Sequence, residues 1–236
     1  MPQLYPIRIN KFLALKNFAT RKGADELIKK GFVSINGKRA ILGDQVYEYD
    51  KVSVSHKAPK KEYTYYAYNK SIGVSTNKDS GAKDILSATK FPNAVFPIGR
   101  LDKDSHGLII MTNDGRVTDR LLSPKYVHDK EYIVKVEPNF SDKFIQLMGN
   151  GVHFDKFVSK KCEVWRAPKS SNTFHIILTE GKKRQIRRMC EALHHKVTDL
   201  RRIRIMNIEL GKIGPGEYRE IKGEELEKFL KLLNLK

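Results

Sequence analysis

A break at His56–Glu62 limits what this chain can fold into more than any other stretch. The run His-Lys-Ala-Pro-Lys-Lys-Glu is polar, charged and interrupted by Pro59, so it suits neither a helix interior nor a central strand. It reads as a linker. The parts on either side must then each bury a core of their own, and 236 residues suffice for two modest domains. The expected division is a first domain over 1–57, a linker over 58–62 and a second domain over 63–236.

In the first part, Arg8 to Phe18 sets Ile9, Phe12, Leu13 and Leu15 among Arg8, Lys11 and Lys16, a short amphipathic helix with a basic face. Thr20 is placed to cap a second helix, with Ala24, Leu27 and Ile28 inward and Arg21, Lys22, Lys29 and Lys30 outward. Gly31 stops it. Phe32–Ile35 alternates as a strand, Asn36-Gly37 is a two-residue hairpin turn, and Val46 and Val52–Val54 complete a small sheet.

Lys and Arg number 45 against 27 Asp and Glu, a formal charge of +18. That excess makes the compact state repel itself, so it points to a polyanionic partner, nucleic acid ahead of an anionic membrane surface. No stretch approaches the roughly 20 apolar residues of a spanning helix, and no signal-peptide pattern opens the chain. The expectation is a soluble, cytoplasmic monomer. Cys162 and Cys190 are far apart and have no zinc-ligand spacing, and neither a Walker loop nor a dinucleotide fingerprint is present. Reduced, buried thiols are expected, with no metal and no cofactor.

The second part reads as strands that outnumber helices without regular alternation. Tyr63–Tyr68, running on into Asn69-Lys70, is predicted to be a strand with one face in the core, a reading preferred to a stacking platform for bases. Pro97 and Gly99 are turn residues, so Arg100 and Asp102 are predicted to sit on a tight loop, and Leu108–Met111 reads as a buried strand closed by Asn113-Asp114-Gly115. Helices are expected at Val117–Leu122, Phe140–Met148, from Lys182 to Met189 and at Glu224–Leu233. Strands are expected at Lys130–Val136, Cys162–Arg166, Phe174–Leu178, Val197–Ile203 and Met206–Leu210. The fold class is α+β, with a mixed, largely antiparallel sheet flanked by helices.

An arginine and a carboxylate on a loop at the mouth of a strand suit chemistry, and a surface turn with an incidental ion pair suits the residues equally well. Asp102, Asp104, His106 and Gly107 stand at positions 1, 3, 5 and 6 of a calcium loop, but Asn113 replaces the bidentate glutamate at position 12. No Gly-x-Ser-x-Gly elbow is present. Taken by spacing alone, Lys182, Lys183, Arg184, Arg187 and Arg188 are phosphate contacts, and Tyr132 is a core tyrosine.

Two resemblances go further. The helix, basic helix and hairpin of the first part, with Thr20-Arg21-Lys22-Gly23-Ala24-Asp25-Glu26-Leu27-Ile28, resemble the S4 (α-L) RNA-binding domain. Three runs, Gly99-Arg100-Leu101-Asp102, Lys130-Glu131-Tyr132 and Arg184-Gln185-Ile186-Arg187, resemble in order the RsuA/RluB/RluE/RluF family of bacterial pseudouridine synthases. Phe96–Ser105, His128–Tyr132 and Arg204–Asn207 are most similar to the RluF-type branch. Ser71 stands where the family usually has proline.

The family resemblance implies isomerisation of a uridine in structured RNA to pseudouridine, with base flipping and without a cofactor. Asp102 would be the essential carboxylate, as nucleophile or as base. Tyr132 would stack on the uracil and help move the C5 proton, and Arg187 would pair with Asp102. Ile186 would pack on the other side of the base, and Arg100 would fill the vacated stack. Arg8, Lys11, Arg21, Lys22, Lys29, Lys30, Lys182, Lys183, Arg184 and Arg188 would contact RNA. The branch implies 23S ribosomal RNA as substrate, with an anticodon-loop uridine of tRNA as an alternative. The rival from another class is a ribosome assembly protein that binds RNA without chemistry.

Overall fold

The computed structural model describes residues 5–16, 18–57, 62–77, 83–123 and 126–235, so the linker expected at 58–62 lies outside it apart from Glu62. The chain forms two compact units. The first comprises Met1–Tyr63, Asp114–Arg120 and Leu230–Lys236; the second comprises Thr64–Asn113 and Leu121–Phe229.

The first unit opens with β1 (Ile7–Arg8) and α1 (Ile9–Leu15), then α2 (Arg21–Lys29). Thr20 caps α2, its Oγ1 accepting the Gly23 N–H at 3.0 Å. β2 (Val33–Ile35) turns into β3 (Lys38–Arg39) through Asn36 and Gly37, both at positive φ, the geometry that Asn-Gly favours. β4 (Gln45–Val46) pairs with β1, and β5 (Val52–Val54) pairs with β2. Ile9, Phe12, Leu13, Ala24, Ile28, Val33 and Val46 form one core. Arg8, expected on the first helix, lies on β1 instead.

The second unit is built on a sheet, and from Tyr65 onward the chain runs through β6 (Tyr65–Lys70), α3 (Ile85–Ala88), β7 (Phe96–Ile98), β8 (His106–Thr112), α4 (Gly115–Leu122, of which Gly115–Arg120 counts with the first unit), β9 (Lys130–Glu137) and α5 (Asp142–Asn150). The short hairpin β10 (His153–Phe154) and β11 (Phe157–Val158) follows. Then come β12 (Glu163–Arg166), β13 (Thr173–Leu178), α6 (Gln185–Ala192), β14 (Lys196–Ile205), β15 (Ile208–Glu209), β16 (Tyr218–Glu220) and α7 (Gly223–Leu232). The main strand order is β12-β13-β9-β14-β8-β6-β16. β14 and β8 run parallel, and the other described ladders of this sheet are antiparallel, the mixed α+β pattern expected.

Four local expectations need correcting. Pro97, read as a turn residue, lies in the strand Phe96–Ile98 that pairs with β8, and the loop with Arg100 and Asp102 starts at Gly99. All six residues of β6 are buried, because this strand is internal to the sheet and covered on both faces. The basic run begins in a loop: Lys182 and Lys183 precede α6 and Arg184, at φ 52°, is its N-cap. Val197–Ile203 belongs to one ten-residue strand, and the second expected strand keeps only Ile208–Glu209, Met206 and Asn207 being turn.

Two apolar clusters flank the sheet. One joins Phe144, Met148, Phe174, Ile186 and Met189; the other joins Tyr66, Tyr68, Ile85, Leu101 and Ile109. Tyr132 packs against both. The parallel seam depends on Gly107, which sits at φ 106° opposite Arg202. A Cβ there would lie 2.2 Å from the Arg202 carbonyl oxygen, so only glycine fits.

Candidate active site

The loop between β7 and β8 is tied down residue by residue. Leu101 donates its N–H to Thr76 Oγ1 at 3.0 Å and accepts the same hydroxyl at its carbonyl at 2.7 Å. The Lys103 carbonyl accepts Gly73 N–H at 2.8 Å, and Ser105 N–H returns to the Asp102 carbonyl at 3.0 Å. His106 Nε2 lies 2.9 Å from Asp199 Oδ1 on β14. Asp102 is half-buried within this clamp, next to the buried Leu101.

Three cations gather at the loop. Lys70, at the end of β6, is fully buried and donates to the Ser71 and Val74 carbonyls at 3.0 and 2.8 Å. It thereby fixes the turn whose Gly73 holds Lys103. Burial pushes its ammonium down to about 8; the charges of Asp104 and Asp102 oppose that shift and Arg202 adds to it. Arg184 makes a two-pronged contact with Asp104, Nη1 to Oδ1 at 3.1 Å and Nη2 to Oδ2 at 2.9 Å. Arg187 donates from Nη2 to the Asp104 carbonyl at 2.8 Å and to Ser105 Oγ at 3.1 Å, and from Nη1 to the Val197 carbonyl at 3.2 Å. Its Nε stands 3.3 Å from Asp104 Oδ2, an ion pair without hydrogen-bond alignment.

The expected Arg187–Asp102 pair is therefore replaced by Arg187–Asp104. Burial alone would raise the Asp104 carboxyl, but the Arg184 hydrogen bonds and the Arg187 and Arg184 charges outweigh it and hold it below its ordinary value. Asp102 is still within electrostatic reach of Arg184 and Lys70.

The other expected site residues divide into two groups. Tyr132, on β9, pairs in register with Arg202, which pairs with Gly107 two residues beyond Ser105. Two strand spacings put its backbone about 10 Å from Gly107, and its ring shares a cluster with Leu101. Arg100 is exposed and has no partner among the described residues. Ile186 is 4% exposed, part of the core that Tyr132 also touches. Arg8, Lys11, Arg21, Lys22, Lys29, Lys30, Lys182 and Lys183 are exposed. Arg188 is engaged instead, paired with Asp155 and lying over the Phe154 ring at 4.9 Å.

Sequence reasoning missed Lys70 and the use of Asp104. The signal for Lys70 was a charged residue closing an aromatic strand; Arg202, buried and donating Nε to the Leu108 carbonyl at 2.7 Å, gave none. The thiols are not part of this site: burial raises Cys190 to about 12, and burial with the Glu180 charge raises Cys162 to about 11.

Two family models match the chain, one described as RNA pseudouridylate synthase over residues 54–192 and the other as S4 domain over residues 7–47. The chain belongs to the RNA pseudouridylate synthase family. This pseudouridylate synthase is 42% identical to the dual-specificity RNA pseudouridine synthase RluF of Salmonella typhi, a match covering 96% of this chain and 79% of that protein. It is 34% identical to the ribosomal large subunit pseudouridine synthase B of Bacillus subtilis, covering 94% and 95%. A crystal structure of a pseudouridylate synthase superposes with a TM-score of 0.68 at 25% identity, covering 96% and 99%. The synthase converts uridine in RNA to pseudouridine, moving the glycosidic bond from N1 to C5 of the same base. Its RNA-binding S4 domain lies at the N-terminal end, and no described helix is long and apolar enough to cross a membrane.

Proposed function

We propose that the substrate is a uridine in folded 23S ribosomal RNA and that Asp102 is the group without which nothing happens. The observation that carries this reading is the convergence of Arg184 and Arg187 on the loop that bears Asp102, with the buried Lys70 within electrostatic reach of the same loop. Attack at C1′ or removal of a sugar proton requires a carboxylate oxygen, and Asp102 presents one, half-buried, on that loop. Once the C1′–N1 bond is broken, the uracil turns in place, C5 bonds to C1′ and the C5 proton leaves to solvent.

Tyr132 supplies a flat phenol for stacking on the uracil and for the C5 proton. Its contact with the cluster containing Leu101 supports that role. Arg187 holds the loop and lends it positive charge. Arg100, a free planar cation two residues before Asp102, suits the gap left when the uridine is flipped out, a step costing a few kcal/mol. Ile186 backs the pocket from α6. The exposed lysines and arginines of the first unit, with Lys182 and Lys183, hold phosphates. The 23S target rests on the RluF and large-subunit relatives, and the designation dual-specificity favours a tRNA uridine as a second substrate.

RNA tritiated at uracil C5 tests the reading, because isomerisation must release that label to water. The protein should release it from 23S RNA, and Asp102→Asn should lower the rate by about 10⁴-fold or more with RNA affinity nearly kept. Release at the wild-type rate by that variant removes Asp102 from the role.

A further inference from the structure

Ile72 is 61% exposed, an isoleucine held out to solvent on a turn that is bonded at several points. Lys70 spans the turn, its ammonium donating to carbonyls on either side of Ile72, Ser71 at 3.0 Å and Val74 at 2.8 Å. Gly73, at φ 84°, donates its N–H to the Lys103 carbonyl at 2.8 Å. Three residues on, Thr76 Oγ1 both gives and takes a hydrogen bond at Leu101. These two ties straddle Asp102. Arg100 stands just outside one and Ile72 just outside the other; both are exposed, and so is Lys103 at the second tie. We propose that Ile72 is a positioning residue for the isomerisation, an apolar wedge that packs on the face of the RNA base beside the target uridine while that uridine is out of the stack. This rests on the reading of Asp102 as the essential acid of a base-flipping reaction.

Turning a nucleotide out uncovers the faces of the bases on both sides of it. Arg100 suits the vacated place itself; a neighbouring base still needs a surface that makes no demand for hydrogen bonds. Isoleucine is one of the side chains that nucleic-acid-binding proteins insert between base steps for this purpose. A wedge must also not fold away under load. Ile72 is β-branched and stiff at χ1, and its backbone is held by the Lys70 and Gly73 bonds, so little freedom is lost on contact. A lone apolar side chain on a surface is ordinary. What singles out Ile72 is a rigid mount bonded to the very loop that bears Asp102, within the same unit. The exposed cations Arg100 and Lys103 on that loop suit a polyanion, so the occupant is RNA rather than another protein.

Single-turnover tritium release from 23S RNA at saturating RNA, with RNA affinity and the urea midpoint measured alongside, tests the proposal. Ile72→Ala should lower the rate about tenfold, with affinity changed less than about threefold and the urea midpoint unmoved. Ile72→Met should recover the rate to within about threefold of wild type, because another long apolar side chain can do the same work. Ile72→Lys should bind RNA at least as tightly and still be slow, since added charge holds phosphates without parting bases. Replacing the base pair that adjoins the modified uridine by a mismatch should shrink the Ile72→Ala deficit to about threefold or less, because the stack is then already open. An Ile72→Ala rate within about threefold of wild type on native RNA overturns the proposal. So does a Met variant as slow as the Ala variant, a Lys variant as fast as wild type, or a deficit that the mismatch leaves unchanged. Asp102→Asn, run in parallel, separates the two claims, and should be inactive on native and mismatched RNA alike. If it is active, the Asp102 reading falls; if it is inactive on both while Ile72→Ala keeps the wild-type rate, only the wedge does.

Discussion

The two basic regions of the molecule use their charge in opposite ways. In the first unit Arg8, Lys11, Arg21, Lys22, Lys29 and Lys30 are exposed, and none forms an ion pair among the described residues. Around the start of α6 the cations are spoken for: Arg184 and Arg187 by Asp104, Arg188 by Asp155, and Lys182 lies over the Phe157 ring at 4.9 Å. Unpaired surface charge attracts a polyanion from any direction and tolerates imprecision. Paired, partly buried charge is fixed in space. On the function proposed above, one region would supply affinity and the other geometry.

Substitutions can break this contrast. The largest effect is expected from Arg187→Ala, which removes the ties to Asp104, Ser105 and Val197 at once. The rate at saturating RNA should fall by about 10² to 10³, with affinity changed by less than about threefold. A loss confined to affinity would place Arg187 with the phosphate contacts.

Lys22→Ala with Lys29→Ala should do the reverse, weakening binding severalfold and reducing the salt dependence of log Kd by about two. An unchanged salt slope would mean that these lysines do not meet phosphate.

The smallest effect concerns Lys70, a buried cation of the second unit. Its ammonium sits at about 8 in the fold against an ordinary 10.5, so between those values the unfolded chain holds a proton that the folded chain has lost. Stability should therefore rise with pH across that window, the burial penalty being full below about 8. Urea unfolding at stepped pH should show this slope, and Lys70→Met should remove it.

Much of this was legible in the sequence wherever a local rule had no tertiary competitor. Thr20 capped its helix and Asn36-Gly37 turned its hairpin because both depend only on nearby backbone. The order of Asp102, Tyr132 and Arg187 along the chain was enough to point to the family. Illegible were the features that arise only when distant strands meet. The burial of Tyr65–Lys70 on both faces follows from its internal place in the sheet. The hairpin His153–Val158 is too short to show a period. The partner of Arg187 could not be read off, because Asp102 and Asp104 are equally near in sequence and only the folded loop turns one toward α6.

A missing methyl group at Gly107 has a reach well beyond its strand. Because nothing projects there, β8 lies flush against β14, and the reactive loop inherits its stiffness from the middle of the sheet rather than from its own short span.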